Sequence, residues 1–293
     1  MRTLLRRLAA VLLGVLGLVV VAGIWEGWKA LGPDDGVLLG ETRVLPRTTD
    51  LAMPHTWDVV RRLLDPTTSA PGADPLWVTV ADAAVTSLGI AAVGFVAGST
   101  VGLLLAVAMQ RVRVVEWGLL PWIVLSQTVP LIAFAPVVRS WGSRIEIGGW
   151  QWPSWLSVAV IASYLAFFPV AVGALKGLQS PARLHTELMH TYAAGWWSTL
   201  RHVRLPSAVP YLLPALRLGA TAAVVGTVVA EVSTGYLDGI GRLLVSYAGQ
   251  ASGDPAKAWG PIVGAIALGL VAAGLVALLG VLLRPYRRGE ATA

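Results

Sequence analysis

Six apolar runs recur along the chain, at 8–24, 78–109, 117–138, 154–175, 209–232 and 262–283. Each is long enough to cross a bilayer as a helix. Two polar stretches stand out between them. Residues 29–77 are rich in Pro, Asp and Thr, and the amphipathic piece at 55–64 after Pro54 predicts a helix lying along the membrane interface. Residues 179–207 form a polar island between two long apolar runs, and the rest of the chain is organised around it. This divides the chain into an N-terminal transmembrane helix at 1–28, a loop at 29–77, a core of five helices at 78–284 and a tail at 285–293. The first run follows Arg2, Arg6 and Arg7, as a signal peptide would. It is long for such a segment, so a retained helix is expected, and the Arg6-Arg7 pair lacks the surroundings of a twin-arginine address.

Within the runs, three patterns carry more than hydropathy. In the second, Gly94, Gly98 and Gly102 fall on one helical face and predict close approach of another backbone. They make a packing seam rather than a phosphate loop, and no GxxxxGK[ST] pattern occurs in the chain. In the third, Ser126, Gln127 and Thr128 stand near mid-membrane beside Pro130, which removes a backbone hydrogen bond and predicts a bend. Polar groups at that depth face protein or water, so this segment is a candidate lining of a path, with helix–helix glue as the alternative. In the fifth, Arg217, Thr221, Val224, Val228 and Glu231 share one stripe. Arg217 lies roughly 16 Å along a helix beyond Pro206 and needs a carbonyl, an acid or water there. Glu231 lies about 37 Å along, at the far edge of the hydrocarbon, where it can face the mouth of a path or cap amides of the 233–241 turn.

In the island, Ser180 reads as an N-cap, Pro181 as the first helical residue and Gly195 as the left-handed residue that ends a helix. An amphipathic helix is therefore predicted over 181–194, with Leu184, Leu188 and Tyr192 on one face and Arg183, Glu187 and His190 elsewhere. A second short helix is predicted over 196–203, presenting Trp196, Trp197 and Leu200 before Leu205-Pro206 closes the segment. Two adjacent Trp side chains in a polar loop gain free energy by burial against a partner or at the interface. The plainer alternative is a loop packed on its own transmembrane helices.

Glu187, Ala193, Val203, Leu205 and Pro206 stand at the spacing of the EAA loop, whose pattern runs Glu-Ala-Ala, Gly and finally Ile-x-Leu-Pro. In this the chain resembles the permease subunits of ABC importers. Leu188 and Met189 replace the two alanines, Val203 the isoleucine and Ala193 the glycine, and alanine disfavours the positive φ that a tight turn there needs. The likeness extends over most of the chain through Pro210, Arg217, Ala230-Glu231 and the Gly-Ile-Gly at 239–241, as in the sulfonate, nitrate and taurine branch. Ile90 stands where that family often has Arg. Residues 126–136, SQTVPLIAFAP, look closest to permeases for pyrimidine-type thiamine precursors.

Composition agrees: 56% hydrophobic, 13% charged and a mean hydropathy of +0.70 describe an integral membrane protein, which six helical runs and the resemblance make all-α and polytopic. A pI near 10.1 would suggest nucleic acid as the partner of a soluble protein. Here the basic residues sort by side of the membrane, and lipid rather than nucleic acid is the expected partner. With the amino terminus inside, Arg2, Arg6, Arg7, Arg111, Arg113, Lys176, Arg183, Arg201, Arg204, Arg284, Arg287 and Arg288 are cytoplasmic, and so is the island. The chain has no Cys, which excludes disulfides and thiolate metal sites.

The resemblance implies a type I ABC importer permease fold with six transmembrane helices and both termini cytoplasmic in a bacterial inner membrane. It further implies a second permease copy, an extracytoplasmic solute-binding protein and cytoplasmic ATPase subunits that bind the ATP, so that this chain is no enzyme and holds no cofactor. Glu187, Tyr192, Ala193, Gly195, Trp196, Leu200, Leu205 and Pro206 are then the expected ATPase-coupling residues. Ser126, Gln127, Thr128, Pro130, Arg217, Thr221 and Glu231 are the expected path. An ion-coupled secondary transporter is the reading from another class. It calls for inverted repeats and for more intramembrane acids or broken helices, neither of which the sequence clearly displays. A membrane scaffold would leave Gln127, Arg217 and Glu231 at depth without a purpose.

Overall fold

The computed structural model describes residues 2–40, 42–45 and 47–282, as helices joined by short connections and two small hairpins. Arg284, Arg287 and Arg288 and the tail at 285–293 lie outside the described residues. Two compact units result, one from Met1–Ala81 with Leu244–Val263 and the other from Asp82–Leu243 with Gly264–Ala293.

In the first unit, helix α1 (Arg2–Leu31) carries a polar grip at its end. Lys29 Nζ donates to Asp50 Oδ1 at 2.6 Å and to the carbonyls of Met53 at 2.6 Å and Thr48 at 3.2 Å. That hydrogen bond, with the charge behind it, holds the exposed Asp50 carboxyl below its usual range. The Thr56 amide and hydroxyl both donate to Glu26 Oε1 at 2.7 Å, so α2 (Thr56–Leu64) is capped from another helix rather than by its own sequence. A helix is thus present where the amphipathic piece was expected, tied to α1 through its first residue and the one before it. A hairpin of β1 (Val37–Leu39) and β2 (Thr42–Leu45) lies between α1 and α2.

The second unit is built around α6 (Ser154–Leu178), the most buried of its helices. Helix α3 (Leu76–Arg111) lays its glycine face on α6. A Cβ on Gly94 would stand 2.5 Å from Ala162 Cβ, one on Gly98 2.5 Å from the Ser163 carbonyl, and one on Gly102 2.7 Å from that of Phe167. The predicted seam is therefore real, and its partner is α6. Helix α9 (Leu205–Thr234) closes on α6 the same way, with Gly177 against Ala208 and Gly226 against Ala162. Apolar packing fills the space behind these contacts, Ile90 included, beside Ala135, Val158 and Ile161.

The third run departs from expectation. It was expected as one bent span over 117–138, but it is two helices, α4 (Arg113–Ser126) and α5 (Leu131–Gly142), set at 103° to each other. Pro130 cannot donate to a helical ladder, and the residues before it leave the helix altogether. Beyond α5, β3 (Glu146–Ile147) and β4 (Trp150–Gln151) turn through Gly148 and Gly149 at φ 57° and 83°. Among the described residues five helices are long and apolar enough to cross a membrane, or six segments when the bent pair counts as one. The island carries α7 (Arg183–Thr191) and α8 (Trp196–Thr199), and α10 (Ile240–Ala248) precedes α11 (Pro255–Leu282).

Candidate functional site

The island's local geometry corrects three expectations. Ser180 is not an N-cap: its hydroxyl donates to the carbonyls of Gly177 at 2.8 Å and Ser207 at 3.2 Å, and so ties the end of α6 to the start of α9. Helix α7 instead begins at Arg183 behind Ala182, which has no capping side chain, and it ends short of the predicted Ala194. Gly195 is extended at φ −67° and ψ 166°, as the residue before α8. The left-handed residue is Ala193, at φ 52°, and it is the one non-glycine with positive φ among the described residues. The tight turn is therefore made, with alanine bearing its steric cost.

Leu205-Pro206 does not close the segment. Helix α8 runs through a π turn at Leu200–Arg204 into α9, where the Leu205 amide reaches the Leu200 carbonyl. The extra residue of this wider turn sits just ahead of Pro206, which has no amide to give. The result is one helical span over Trp196–Thr234, rather than a short helix and a separate span from 209.

The residues expected to couple fall in two kinds of place. Leu200 is buried with Met109, Ile123, Leu175 and Leu178, and Trp196 packs against the same cluster while the Arg111 guanidinium stands 4.6 Å from the centre of its ring. These hold the island to the bundle. Outward, Leu184 is 73% exposed, Tyr192 76% and Trp197 69%, on a surface that no part of the chain covers among the described residues. Glu187 is also exposed, 3.9 Å from Arg183 Nε, and Gly195 has open space around it. Leu205 is half exposed and Pro206 continues the helix. Arg204, which the sequence reading left without a role, donates to the Leu178 carbonyl at 3.0 Å and pins the π turn to the end of α6.

The expected path residues fall in three places. At the break between α4 and α5, Ser126 Oγ and Thr128 Oγ1 donate to the Ile123 and Leu125 carbonyls at 2.7 and 2.8 Å, Gln127 Nε2 reaches Ser126 Oγ at 3.3 Å, and Pro130 is exposed. The Tyr164 hydroxyl of α6 donates to the Ser126 carbonyl, satisfying a group that the break releases. Arg217 and Thr221 are exposed on α9, and Thr221 Oγ1 donates back to the Arg217 carbonyl at 3.0 Å. The Arg217 guanidinium reaches Gly280 near the end of α11, so it extends toward the island end of the bundle. No acid or carbonyl receives it among the described residues.

Glu231 stands apart from both and is wholly buried. Its Oε1 accepts from Ser87 Oγ at 2.6 Å and its Oε2 from the Gly241 amide at 2.8 Å, so that it caps the turn before α10. A Cβ on Gly239 would overlap this carboxyl, which explains the Gly-Ile-Gly. Ser87 went unread because a serine in an apolar helix gives no sign of a partner 144 residues away.

The family described as binding-protein-dependent transport system inner membrane component matches residues 98–285, a stretch that includes the island, the broken span and Glu231. The chain belongs to this family. It is 30% identical over 208 residues to a formylaminopyrimidine transport permease protein of Halalkalibacterium halodurans, covering 70% of this chain and 77% of that one. A riboflavin transport system permease protein of Chloroflexus aurantiacus is 29% identical over 46% of each chain. A putative aliphatic sulfonates transport permease protein of Bacillus subtilis is 28% identical over 53% of this chain and 52% of its own length. In fold, the permease is similar to a crystal structure of an amino acid ABC transporter with histidines, at a TM-score of 0.53 and 16% identity over 72% of this chain and 94% of that one. The permease is thus a multi-pass, all-α membrane protein and a transmembrane component of an ABC importer.

Proposed function

We propose that the permease imports a small heterocycle of the pyrimidine, thiamine-precursor type, with the island docked on a cytoplasmic ATPase and the opposite end facing a solute-binding protein. The observation that carries the docking is the exposed face of Leu184, Tyr192 and Trp197 on an island whose Leu200 and Trp196 are anchored in the core. An apolar surface held rigidly from behind fits a cleft on a partner rather than solvent. ATP is bound and hydrolysed on that partner, and the chain itself carries neither catalytic residue nor cofactor. A second permease copy completes the path, which the break at Ser126–Pro130 lines, and both termini are cytoplasmic.

The heterocycle is supported by the 126–136 segment and by the relative that transports formylaminopyrimidine. A sulfonate, taurine or nitrate substrate is the second reading, favoured by the sulfonate relative and by the exposed Arg217, whose cation suits an anionic solute. Uptake of labelled formylaminopyrimidine and of labelled taurine into vesicles bearing the permease, its ATPase and its binding protein decides between them. Heterocycle uptake that requires ATP is expected. Uptake driven by an ion gradient without ATP overturns the importer reading, and uptake of taurine alone overturns the heterocycle.

A further inference from the structure

Glu231 and Ser87 are both wholly buried, and neither is placed in the path or the docking surface. A buried carboxyl without partners would be expelled, so its surroundings must supply donors. They do so in a particular order. Ser87 Oγ on α3 donates to Glu231 Oε1 on α9, and the same oxygen accepts the Ile240 amide at 2.9 Å. Glu231 Oε2 accepts the next amide, that of Gly241.

The first amides of a helix have no partner inside it. In α10 two of them are satisfied by side chains from α3 and α9 instead of by a capping residue of its own. The Glu231 carbonyl also accepts the amides of Gly235 and Tyr236, so one residue holds the 235–241 turn at its beginning and at its end. Gly239 and Gly241 carry no side chain where either Cβ would run into Glu231. Of the four groups in this latch, Ser87 alone belongs to α3.

We infer that Ser87 is a positioning residue: it fixes the first turn of α10 against α3 and α9, and thereby sets the surface through which a loaded binding protein signals to the permease. The inference rests on the reading that this end faces the binding protein. Removing the hydroxyl leaves the Ile240 amide without an acceptor and half of the Glu231 carboxyl without a donor, and the turn then loses its registration while both long helices remain packed through their glycine seams.

The test uses the full transporter with two readouts. In hydrogen–deuterium exchange of the reconstituted permease, Ser87→Ala should speed exchange of the amides at 240 and 241 by about tenfold. Ser99→Ala is the control: Ser99 is on the same helix, and its buried hydroxyl has no partner among the described residues, so exchange there should not change. In the ATPase assay, Ser87→Ala should reduce stimulation by loaded binding protein about fivefold or more, with basal hydrolysis within about twofold of wild type. Ser87→Thr, which restores the hydroxyl, should recover both. Unchanged exchange in Ser87→Ala overturns the latch. Faster exchange with full stimulation overturns its role in positioning, and equal loss of basal and stimulated hydrolysis marks Ser87 as merely structural. If the wild type itself responds to no binding protein, the reading of this end fails, and the exchange experiment still judges the latch.

Discussion

At the scale of single residues, Ala193 shows how a spacing can outlast the side chain it was made for. Its left-handed backbone is what the family's glycine would take freely, and alanine there carries strain of about 1 kcal/mol. Ala193→Gly removes that strain but adds freedom to the unfolded chain worth about 0.4–1 kcal/mol, so the two should nearly cancel. Ala193→Val, with a branched Cβ in the same conformation, should loosen the turn by a further 1–2 kcal/mol or about that. Limited proteolysis within 179–207 checks both: wild-type cleavage rates for the glycine, rates roughly tenfold faster for the valine. At the other end of α9, Gly239→Ala drives a methyl group into the Glu231 carboxyl and should lower transport, as should Glu231→Ala, which removes the cap itself. Uptake at the wild-type rate in Gly239→Ala would show that the seat has room to relax.

At the scale of elements, hydropathy and glycine spacing made most of the fold legible. Gly94, Gly98 and Gly102 announce a seam because their identity and their spacing both depend on a neighbouring backbone. Gly98→Leu should accordingly cost about 3 kcal/mol in thermal stability, since its side chain would meet the Ser163 carbonyl, whereas Gly89→Leu, in open space on the same helix, should cost little. The break at 126–130 was legible only as a bend. Its 103° angle was not, and neither was the partner that the Ser126 carbonyl finds in the Tyr164 hydroxyl, because that residue lies on another helix. The π turn was hidden for a similar reason: Leu205-Pro206 reads as a stop, and only a widened turn clamped by Arg204 lets the helix pass through it. Glu231 was legible as a cap but not as a buried one, because Ser87 is remote in sequence. Cysteines placed singly at 127 and 128, in a chain with none of its own, test what the break does. Labelling by a small water-soluble thiol reagent is expected at both. Inert cysteines at both positions, with reactive ones in the flanking turns, would assign these residues to helix packing.

At the scale of the whole molecule, the proposed docking surface and its support are separable by mutation. Trp197→Asp changes an exposed ring and should weaken ATPase binding by about thirtyfold while the permease stays folded. Leu200→Asp buries a charge in the core and should abolish accumulation of the protein in the membrane. Equal ATPase affinity in Trp197→Asp and wild type would move the docking surface elsewhere. The uninterrupted span from Trp196 to Thr234 gives this surface a mechanical meaning. Its 39 residues make a rod of about 58 Å, with Trp197 near one tip and Glu231 near the other. If the proposed ATPase tilts it, a stiff rod pivoting on its packing with α6 would act as a lever, and a small tilt would reappear at the far tip as a sweep of ångströms, without any chain of rearranging contacts between. The π turn and Pro210 and Pro214 are then the places where stroke could be lost to bending, and a pair of glycines substituted at 203 and 204 should leave ATP hydrolysis intact while transport stops.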